Sequence, residues 1–265
     1  QSGSFKFSST RAGRLPTDED LRRTITRGLK ASAMPAWDLL PARTVDALIA
    51  YIKTFSPKWR ARQPAPAIPL VDDPYRRLTD KQAAIERGEA VYHGYATCWT
   101  CHPAYVDPDA LNAHLRRFGG TPRERFRERL HESLGKPNTE GEVIFPPDFT
   151  RDFVRSGAPV EYLYRSMGAG ITGTAMPTWI DSMSFTDDAG TLLAQPSDVW
   201  AVAYYVRDLI GRRPAKLSEG AFAVRDRRQT IYPPGAAPPA AALPPSATEE
   251  GFIQMDEEFV EDEDD

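Results

Sequence analysis

The residues best suited to chemistry are the two cysteines of the chain and the histidine that follows the second of them. The chain contains two cysteines and four histidines among 265 residues, and Cys98, Cys101 and His102 form one Cys-x-x-Cys-His pattern. Two thiols about one helical turn apart can each form a thioether to a vinyl group of haem, and the adjacent imidazole can bind the iron. The pattern therefore predicts one covalently attached haem c.

Three other uses of a cysteine pair are open, namely a disulfide, a redox-active dithiol and half of a zinc site. A thioredoxin-type dithiol is expected in a βαβ context, which this sequence does not indicate. A structural zinc ion needs four ligands, and the chain has no second cysteine pair. Haem attachment is therefore favoured over all three.

A six-coordinate haem iron also needs a ligand on the face opposite His102. Met176 is the favoured residue, since it lies 74 residues after His102, far enough for the chain to return over the other haem face. A thioether is a soft ligand that favours ferrous iron, so His/Met ligation raises the reduction potential. The alternatives for this position are Met167, Met183, His114 and His131.

An internal repeat indicates which elements position these residues. Residues 21–37 (LRRTITRGLKASAMPAW) and 163–179 (LYRSMGAGITGTAMPTW) align at one constant offset, and both contain Ala-Met-Pro-x-Trp. A second helical pattern follows each copy, at 46–55 and at 198–210. A repeat of this kind predicts two related structural units.

Capping signals mark the ends of several helices, and strand signals are scarce, so we predict a mostly α fold. The expected helix starts are Thr17 with Asp20, Thr79 with Gln82, Pro159 and Ser197, and the expected ends are Gly28, about Gly94, and Gly211.

Proline and charge divide the rest of the chain. Residues 60–80 are rich in proline and are predicted to be a linker or strapping segment. Residues 214–265 form a Pro/Ala-rich and then acidic tail, which is predicted to be extended or disordered. Residues 249–265 contain ten acidic groups and no basic one, so the remaining chain has 33 basic against 27 acidic groups. The tail is expected to be solvated, with docking of a basic redox partner as its alternative role.

Several motifs, in order along residues 81–213, resemble those of a complete class I cytochrome c domain. The motifs that carry the likeness are Gly88-x-x-x-Tyr92, Cys98-x-x-Cys101-His102, Gly173-Thr174-Ala175-Met176-Pro177-x-Trp179 and Ala203-Tyr204-Tyr205-Val206-Arg207. The resemblance implies a cytochrome c fold in which Cys98 and Cys101 attach the haem and His102 and Met176 bind its iron.

The same resemblance implies a contact between the first and last helices of the domain. In such domains these helices cross at a small residue with an aromatic alongside, and Gly88 with Tyr92 against Tyr204 or Tyr205 fits that description. This chain departs from the family in length, because residues 108–142 and 181–196 are insertions. The insertions are expected to cover or extend the haem edge.

Residues 1–59 resemble only the C-terminal half of another such domain. They contain the methionine loop around Met34 and the last helix, but no Cys-x-x-Cys-His. We expect an N-terminally truncated first domain of a dihaem cytochrome c, whose haem motif is missing from this sequence. A degenerate half-domain without haem is the alternative, and Met34 is not assigned as a ligand.

Residues 115–136 mix arginine and glutamate at helical spacings. The favoured interpretation is a solvated helix with ion pairs between residues four apart. A basic docking patch for an acidic partner is the alternative. His114 and His131 fall in or next to this segment and are expected to be surface histidines.

These features predict an electron carrier and not an enzyme, either free or as a subunit of an oxidoreductase complex in a respiratory chain. The expected partners are redox proteins or a larger membrane-associated oxidoreductase complex, with no nucleic acid. The chain has no apolar run of transmembrane length. Because c-type haem is attached outside the cytoplasm, a periplasmic or extracytoplasmic location is expected. The alternative function is a haem enzyme of the peroxidase or sulfur-compound dehydrogenase type, with a displaceable distal ligand.

Overall fold

The fold is mostly helical, as the capping and periodicity signals predict. The computed structural model describes residue 3 and residues 5–213, which belong to one compact unit. In this part of the chain the α-helices are α1 (Asp18–Arg27), α2 (Ala42–Thr54), α3 (Lys58–Ala61), α4 (Lys81–Ala90), α5 (Pro108–Arg117), α6 (Val160–Ala169) and α7 (Asp198–Gly211). None of the described helices combines the length and apolar character needed to span a lipid bilayer.

The strands are short and form two antiparallel hairpins. Strand β1 (Lys136–Pro137) pairs with β2 (Val143–Ile144), with Lys136 opposite Ile144. Strand β3 (Phe185–Thr186) pairs with β4 (Leu192–Ala194), with Phe185 opposite Ala194. The second hairpin lies within the predicted insertion 181–196, and the first overlaps the end of 108–142.

Helices α4 and α7 cross closely and lie at the centre of the larger hydrophobic core. A Cβ atom on Gly88 of α4 would lie 2.1 Å from the carbonyl oxygen of Ala201 in α7, so only glycine permits this approach. One turn later, the rings of Tyr92 and Tyr205 meet edge to face at 5.6 Å. The predicted crossing at Gly88 and Tyr92 is therefore confirmed, with Tyr205 as the partner.

The two copies of the repeat have the same local structure. Helices α1 and α6 correspond residue for residue at the 142-residue offset. Gly28 ends α1 at φ 64° and Gly170 follows α6 at φ 75°, a region open to glycine. In each loop the methionine carbonyl accepts a backbone hydrogen bond, from Leu29 at 3.1 Å and from Ile171 at 3.2 Å.

The two copies also pack against each other through the segments that precede α1 and α6. Gly13 N–H donates to Thr172 Oγ1 at 3.0 Å, and Lys30 N–H donates to the carbonyl of Arg155 at 3.3 Å. Arg11 and Asp181 add an exposed two-point ion pair. The smaller core of the first copy consists of Leu21, Ile25, Val45 and Ile49.

The proline-rich segment 62–77 lies across both copies without regular helix. Ile68 N–H donates to the Ser9 carbonyl, and the carbonyls of Pro69 and Val71 accept from Tyr164 Oη and Trp200 Nε1. The division into separate domains at 1–59, 60–80 and 81–213 stays a prediction. The predicted tail at 214–265 lies outside the described residues.

The capping predictions have mixed outcomes. The reciprocal capping box of Thr17 and Asp20 is confirmed, and α6 begins directly after Pro159. The predicted box of Thr79 with Gln82 is wrong, because a 3₁₀ turn at Leu78–Asp80 precedes α4 and Thr79 Oγ1 donates to Asp80 instead.

Ser197 makes no side-chain cap to α7 because its own backbone is helical, with φ −68° and ψ −13°. The carboxylate of Asp198 accepts from Gln195 N–H and forms a two-point ion pair with Arg87 of α4. Helix α7 includes Gly211 as its last residue.

The predicted helix over 115–136 is wrong. Helix α5 ends at Arg117, because Gly119 has φ 74° and Pro122 cannot continue the helical hydrogen bonds. Residues 118–134 instead form a non-helical loop, which we call the 118–134 loop.

Candidate functional site

Both cysteines and His102 lie on one tight turn. A π-helical turn at Val91–Tyr95 ends α4, and Thr97 then adopts the left-handed conformation with φ 42°. A 3₁₀ turn at Cys98–Thr100 follows, and the Cys98 carbonyl accepts from Cys101 N–H at 3.1 Å and from His102 N–H at 2.8 Å. The strained backbone at Thr97 is of the kind that the surrounding structure must hold in place. We call residues 97–102 the attachment turn.

The ring of His102 has one nitrogen committed and one free. Its Nδ1 lies 2.9 Å from the carbonyl oxygen of Pro147, which can only accept, so Nδ1 carries the proton and Nε2 keeps its lone pair. The ring stacks on Phe149 at 4.8 Å. Burial lowers the pKa of His102 to about 4, so the imidazole is neutral at ordinary pH, which is the form that binds metal ions.

The cysteine thiols are free. Desolvation, followed by the neighbouring Cys101, raises the pKa of Cys98 to about 12. A reactive dithiol needs the opposite shift, because the thiolate is the nucleophile. The site therefore does not resemble a redox-active dithiol. Within the described residues no group of three or more His, Cys, Asp or Glu side chains is arranged to hold a metal ion.

The carbonyl that fixes His102 is itself held by a buried polar network. Tyr105 Oη accepts from Phe149 N–H at 2.8 Å and donates to Asp148 Oδ1 at 3.2 Å. Asp148 Oδ1 also accepts from Thr150. The network orders residues 147–150, and so the acceptor for His102.

A second arrangement holds the attachment turn from the side of the 118–134 loop. Nη2 of Arg127 lies within hydrogen-bonding distance of the carbonyls of Trp99, His102, Leu130 and Glu132, at 3.1, 3.0, 3.3 and 2.6 Å. The guanidinium of Arg123 lies 4.9 Å from the ring centre of Trp99. Desolvation lowers the pKa of Arg127, which reflects its burial beneath the loop.

Met176 lies on the loop between α6 and α7 and is partly exposed. Thr174 Oγ1 accepts from the Met176 N–H at 3.1 Å, and in the first copy Ser32 Oγ accepts from Met34 N–H at 3.2 Å. The structure does not join Met176 to the attachment turn by a hydrogen bond, so its role as iron ligand stays a prediction. Met34 has the same loop geometry, and its role is equally untested.

The alternative ligands have other surroundings. Met183 is buried in the larger core, and Met167 packs against that core. His114 stacks on His93 at 5.7 Å, and His131 is exposed with Nδ1 on the Ala104 carbonyl at 2.9 Å. His93 is buried and uses both ring nitrogens, on the Glu89 carbonyl and Tyr105 N–H.

Sequence reasoning found Cys98, Cys101 and His102 of the attachment turn but missed the residues that support it. Arg127 was included in a solvated helix, and Tyr105 and Asp148 carried no signal that set them apart. Pro147 holds His102 through its backbone carbonyl, and Phe149 holds it through the face of its ring. Neither feature can be recognised from residue type alone.

Comparison with known proteins gives one informative likeness. The chain matches no protein-family model and no curated protein sequence. A solved structure described as the Kuenenia stuttgartiensis reducing HAO-like protein complex Kustc0457/Kustc0458 matches 78% of this chain and 79% of its own, with 25% identity and a TM-score of 0.57. The match and the helical architecture together support a cytochrome-like relationship for this chain.

Proposed function

We propose that this chain is an electron-transfer protein that binds one haem c covalently through Cys98 and Cys101. His102 and Met176 are the proposed axial ligands. The observation that carries the proposal is the His102 Nδ1 hydrogen bond to Pro147, on the same turn as two free thiols. It leaves Nε2 as the available donor nitrogen, as in metal-binding histidines whose other nitrogen is held by a carbonyl.

The residues of the chain fit the group. When bound, the haem supplies a one-electron Fe(III)/Fe(II) couple. The thiols of Cys98 and Cys101 would tether it, and Pro147 and Phe149 fix the orientation of the His102 ring. Arg127 holds the backbone of the attachment turn, and a Met176 thioether raises the reduction potential relative to a second histidine.

We further propose that the chain works as a redox subunit of a larger oxidoreductase complex. The similar structure is described as a complex of two proteins with a reducing role, which supports a partner-bound carrier. Because haem attachment to such motifs takes place after export, we propose a periplasmic or other extracytoplasmic location.

The first experiment is expression in a host that attaches c-type haem, followed by intact mass and absorption spectra. We expect the mass of one haem above that of the polypeptide, and its loss in Cys98→Ser with Cys101→Ser. A chain without covalent haem would overturn the proposal and reopen the thiol and metal alternatives.

The assignment of Met176 is tested with its counterpart in the other loop as control. Met176→Ala should lose the red absorption band of a Met–iron bond and lower the reduction potential, whereas Met34→Ala should change neither. Persistence of the band in Met176→Ala would remove Met176 from the iron. A wild-type protein with high-spin iron would favour the haem enzyme instead.

A further inference from the structure

Three arginines lie close together at the contact between α1 and α6. Arg23 and Arg27 are four residues apart and share one face of α1, and Arg165 lies three residues after Tyr162 on α6. The guanidinium of Arg27 lies over the ring of Tyr162, 4.5 Å from its centre. This contact joins the two helix faces, and we call Arg23, Arg27 and Arg165 the arginine cluster.

The repeat shows what Arg165 lacks. Its counterpart at the 142-residue offset is Arg23, which is paired with Asp20 of its own helix at 3.0 Å and has a side chain that is 19% exposed. The counterpart of Asp20 is Tyr162, so α6 has no carboxylate at this position. Arg165 is partly buried, and it forms no hydrogen bond or salt bridge with any other residue in the described part of the chain.

The surroundings of Arg165 disfavour its positive charge. Desolvation, followed by repulsion from Arg23 and Arg27, lowers the pKa of Arg165, while the carboxylates of Asp20 and Glu161 oppose this shift. A guanidinium stays protonated at any ordinary pH, so the loss of a proton cannot relieve the cost of burying it. A nearby anion with free acceptor atoms can relieve that cost.

Neither of the two carboxylates near Arg165 supplies such an anion. Asp20 accepts from the N–H and hydroxyl groups of Ser9 and Thr17, as well as from Arg23. A carboxylate has about four acceptor sites, so Asp20 has none left for Arg165. Glu161 is exposed and forms no salt bridge with Arg165.

We propose that the arginine cluster binds a small oxyanion of the phosphate or sulfate class between α1 and α6. Each guanidinium can donate a pair of parallel hydrogen bonds, and three of them from two helices can reach the oxygens of a tetrahedral anion from separate directions. A single carboxylate has two coplanar oxygens and would leave one guanidinium without an acceptor. Because α1 and α6 belong to different copies of the repeat, the bound anion would also strengthen the junction between the copies.

The first experiment is calorimetric titration of the haem-loaded chain with inorganic phosphate, at an ionic strength held constant with chloride. We expect saturable binding of one phosphate per chain, with sulfate as a competitor. Arg165→Met keeps most of the side-chain length but removes the donors, and it should weaken phosphate binding by about tenfold or more. The control is Arg43→Met, which changes an exposed arginine of α2 outside the cluster and should leave phosphate binding as in the wild type.

Thermal unfolding of the same proteins distinguishes an anion site from a purely structural role of Arg165. Without phosphate, Arg165→Met should melt no lower than the wild type, because the substitution removes a charge that two neighbours repel. Saturating phosphate should raise the melting temperature of the wild type and of Arg43→Met but not that of Arg165→Met. A purely structural arginine would instead lower the melting temperature on its removal, with or without phosphate.

Three results would overturn the proposal. They are the absence of saturable binding of phosphate and sulfate, stabilisation no greater than that by chloride at the same ionic strength, and phosphate binding that is undiminished in Arg165→Met. If Arg165→Met does not fold, Arg27→Met at the exposed edge of the cluster takes its place, and undiminished binding there overturns the proposal equally. None of these readouts uses electron transfer or the axial ligands, so failure here is distinguishable from failure of the proposed function.

Discussion

Two buried imidazoles of this molecule have different hydrogen-bonding states. His93 donates from Nδ1 to the Glu89 carbonyl and accepts at Nε2 from Tyr105 N–H at 3.2 Å. His102 uses Nδ1 alone. A residue with one free lone pair can bind a metal ion, while one with both nitrogens engaged serves the fold. This difference selects His102 over its neighbour as the site residue.

The buried His93 makes stability depend on pH. Burial lowers its pKa from 6.5 to about 4, so the unfolded state takes up this proton first. The contribution of neutral, buried His93 to the free energy of unfolding is fully present above pH 6.5. It is lost as the pH falls towards 4, and the loss amounts to up to about 3 kcal/mol. Urea unfolding of the haem-loaded protein at a series of pH values measures it.

The control for this prediction is the exposed His131. His93→Gln should flatten the pH dependence between pH 6.5 and 4, while His131→Gln should leave it as in the wild type. If the free energy of unfolding falls equally with pH in the wild type and in His93→Gln, the pH dependence of stability belongs to other groups.

Residue identities alone were enough for the attachment turn because Cys98, Cys101 and His102 lie within five consecutive positions. They were not enough for its support. The acceptor for His102 is a backbone carbonyl 45 residues away, and a carbonyl has no signature in the sequence. The same limit hid Arg127, whose role is defined by two carbonyls of the attachment turn and two of its own loop. The helical spacing of its segment did not predict that loop.

At the scale of elements, the crossing of α4 and α7 depends on one missing side chain. Gly88→Ala would place a methyl group 2.1 Å from the Ala201 carbonyl, so the helices must separate. We expect a loss of about 1–3 kcal/mol in the free energy of unfolding, although alanine has the better helix propensity.

The matched control is Gly211→Ala, where an added Cβ would meet no heavy atom within 4 Å. It should be neutral or slightly stabilising. Thermal unfolding of both variants checks the pair, and similar melting temperatures for the two would contradict a tight crossing.

Arg127 joins the 118–134 loop to the attachment turn, together with the backbone hydrogen bond from Leu134 N–H to the Cys101 carbonyl at 2.8 Å. Arg127→Met keeps most of the side-chain volume but removes the donors to the four carbonyls. We expect about 2 kcal/mol of lost stability, because the carbonyls of Trp99 and His102 lose this donor. Chemical denaturation measures the loss, and the exposed Arg125→Met should remain within about 0.5 kcal/mol of wild type. Equal effects would mean that Arg127 acts only through its charge.

The element boundaries show which signals could be trusted. Helix α1 was predictable because Thr17, Asp20 and Gly28 act within one short segment. The helix over 115–136 was not, since its arginine and glutamate spacing outweighed Gly119 and Pro122 in the prediction. Arg129 and Glu132 of that segment form a salt bridge at 3.8 Å, three residues apart and outside a helix.

At the scale of the whole molecule, the two copies of the repeat differ in how much they bury. The first has a core of four buried residues and leaves Leu48, Tyr51 and Phe55 of α2 exposed, while the larger core of the second surrounds α4 and α7. We expect the chain to open locally at α2 before α7, since local stability follows buried apolar contact. Hydrogen-exchange mass spectrometry should give lower protection for amides of α2 than for those of α7.

The length-matched comparison for this prediction is α1 with α6, which have the same loop geometry. The difference in amide protection between α1 and α6 should be smaller than that between α2 and α7. The reason is that backbone contacts next to α1 join it to the second copy. Equal protection of α2 and α7 would show that the whole unit unfolds as one.

The contacts between the copies exchange their partners under the repeat offset. Gly13 meets Thr172, and Lys30 meets Arg155, which are the counterparts of Lys30 and Gly13 respectively. In an isologous homodimer, residue i of one subunit meets residue j of the other and the reverse also holds. These two contacts between the copies therefore follow the pattern of a two-fold interface within a single polypeptide, and each methionine loop is braced by the other copy of the repeat.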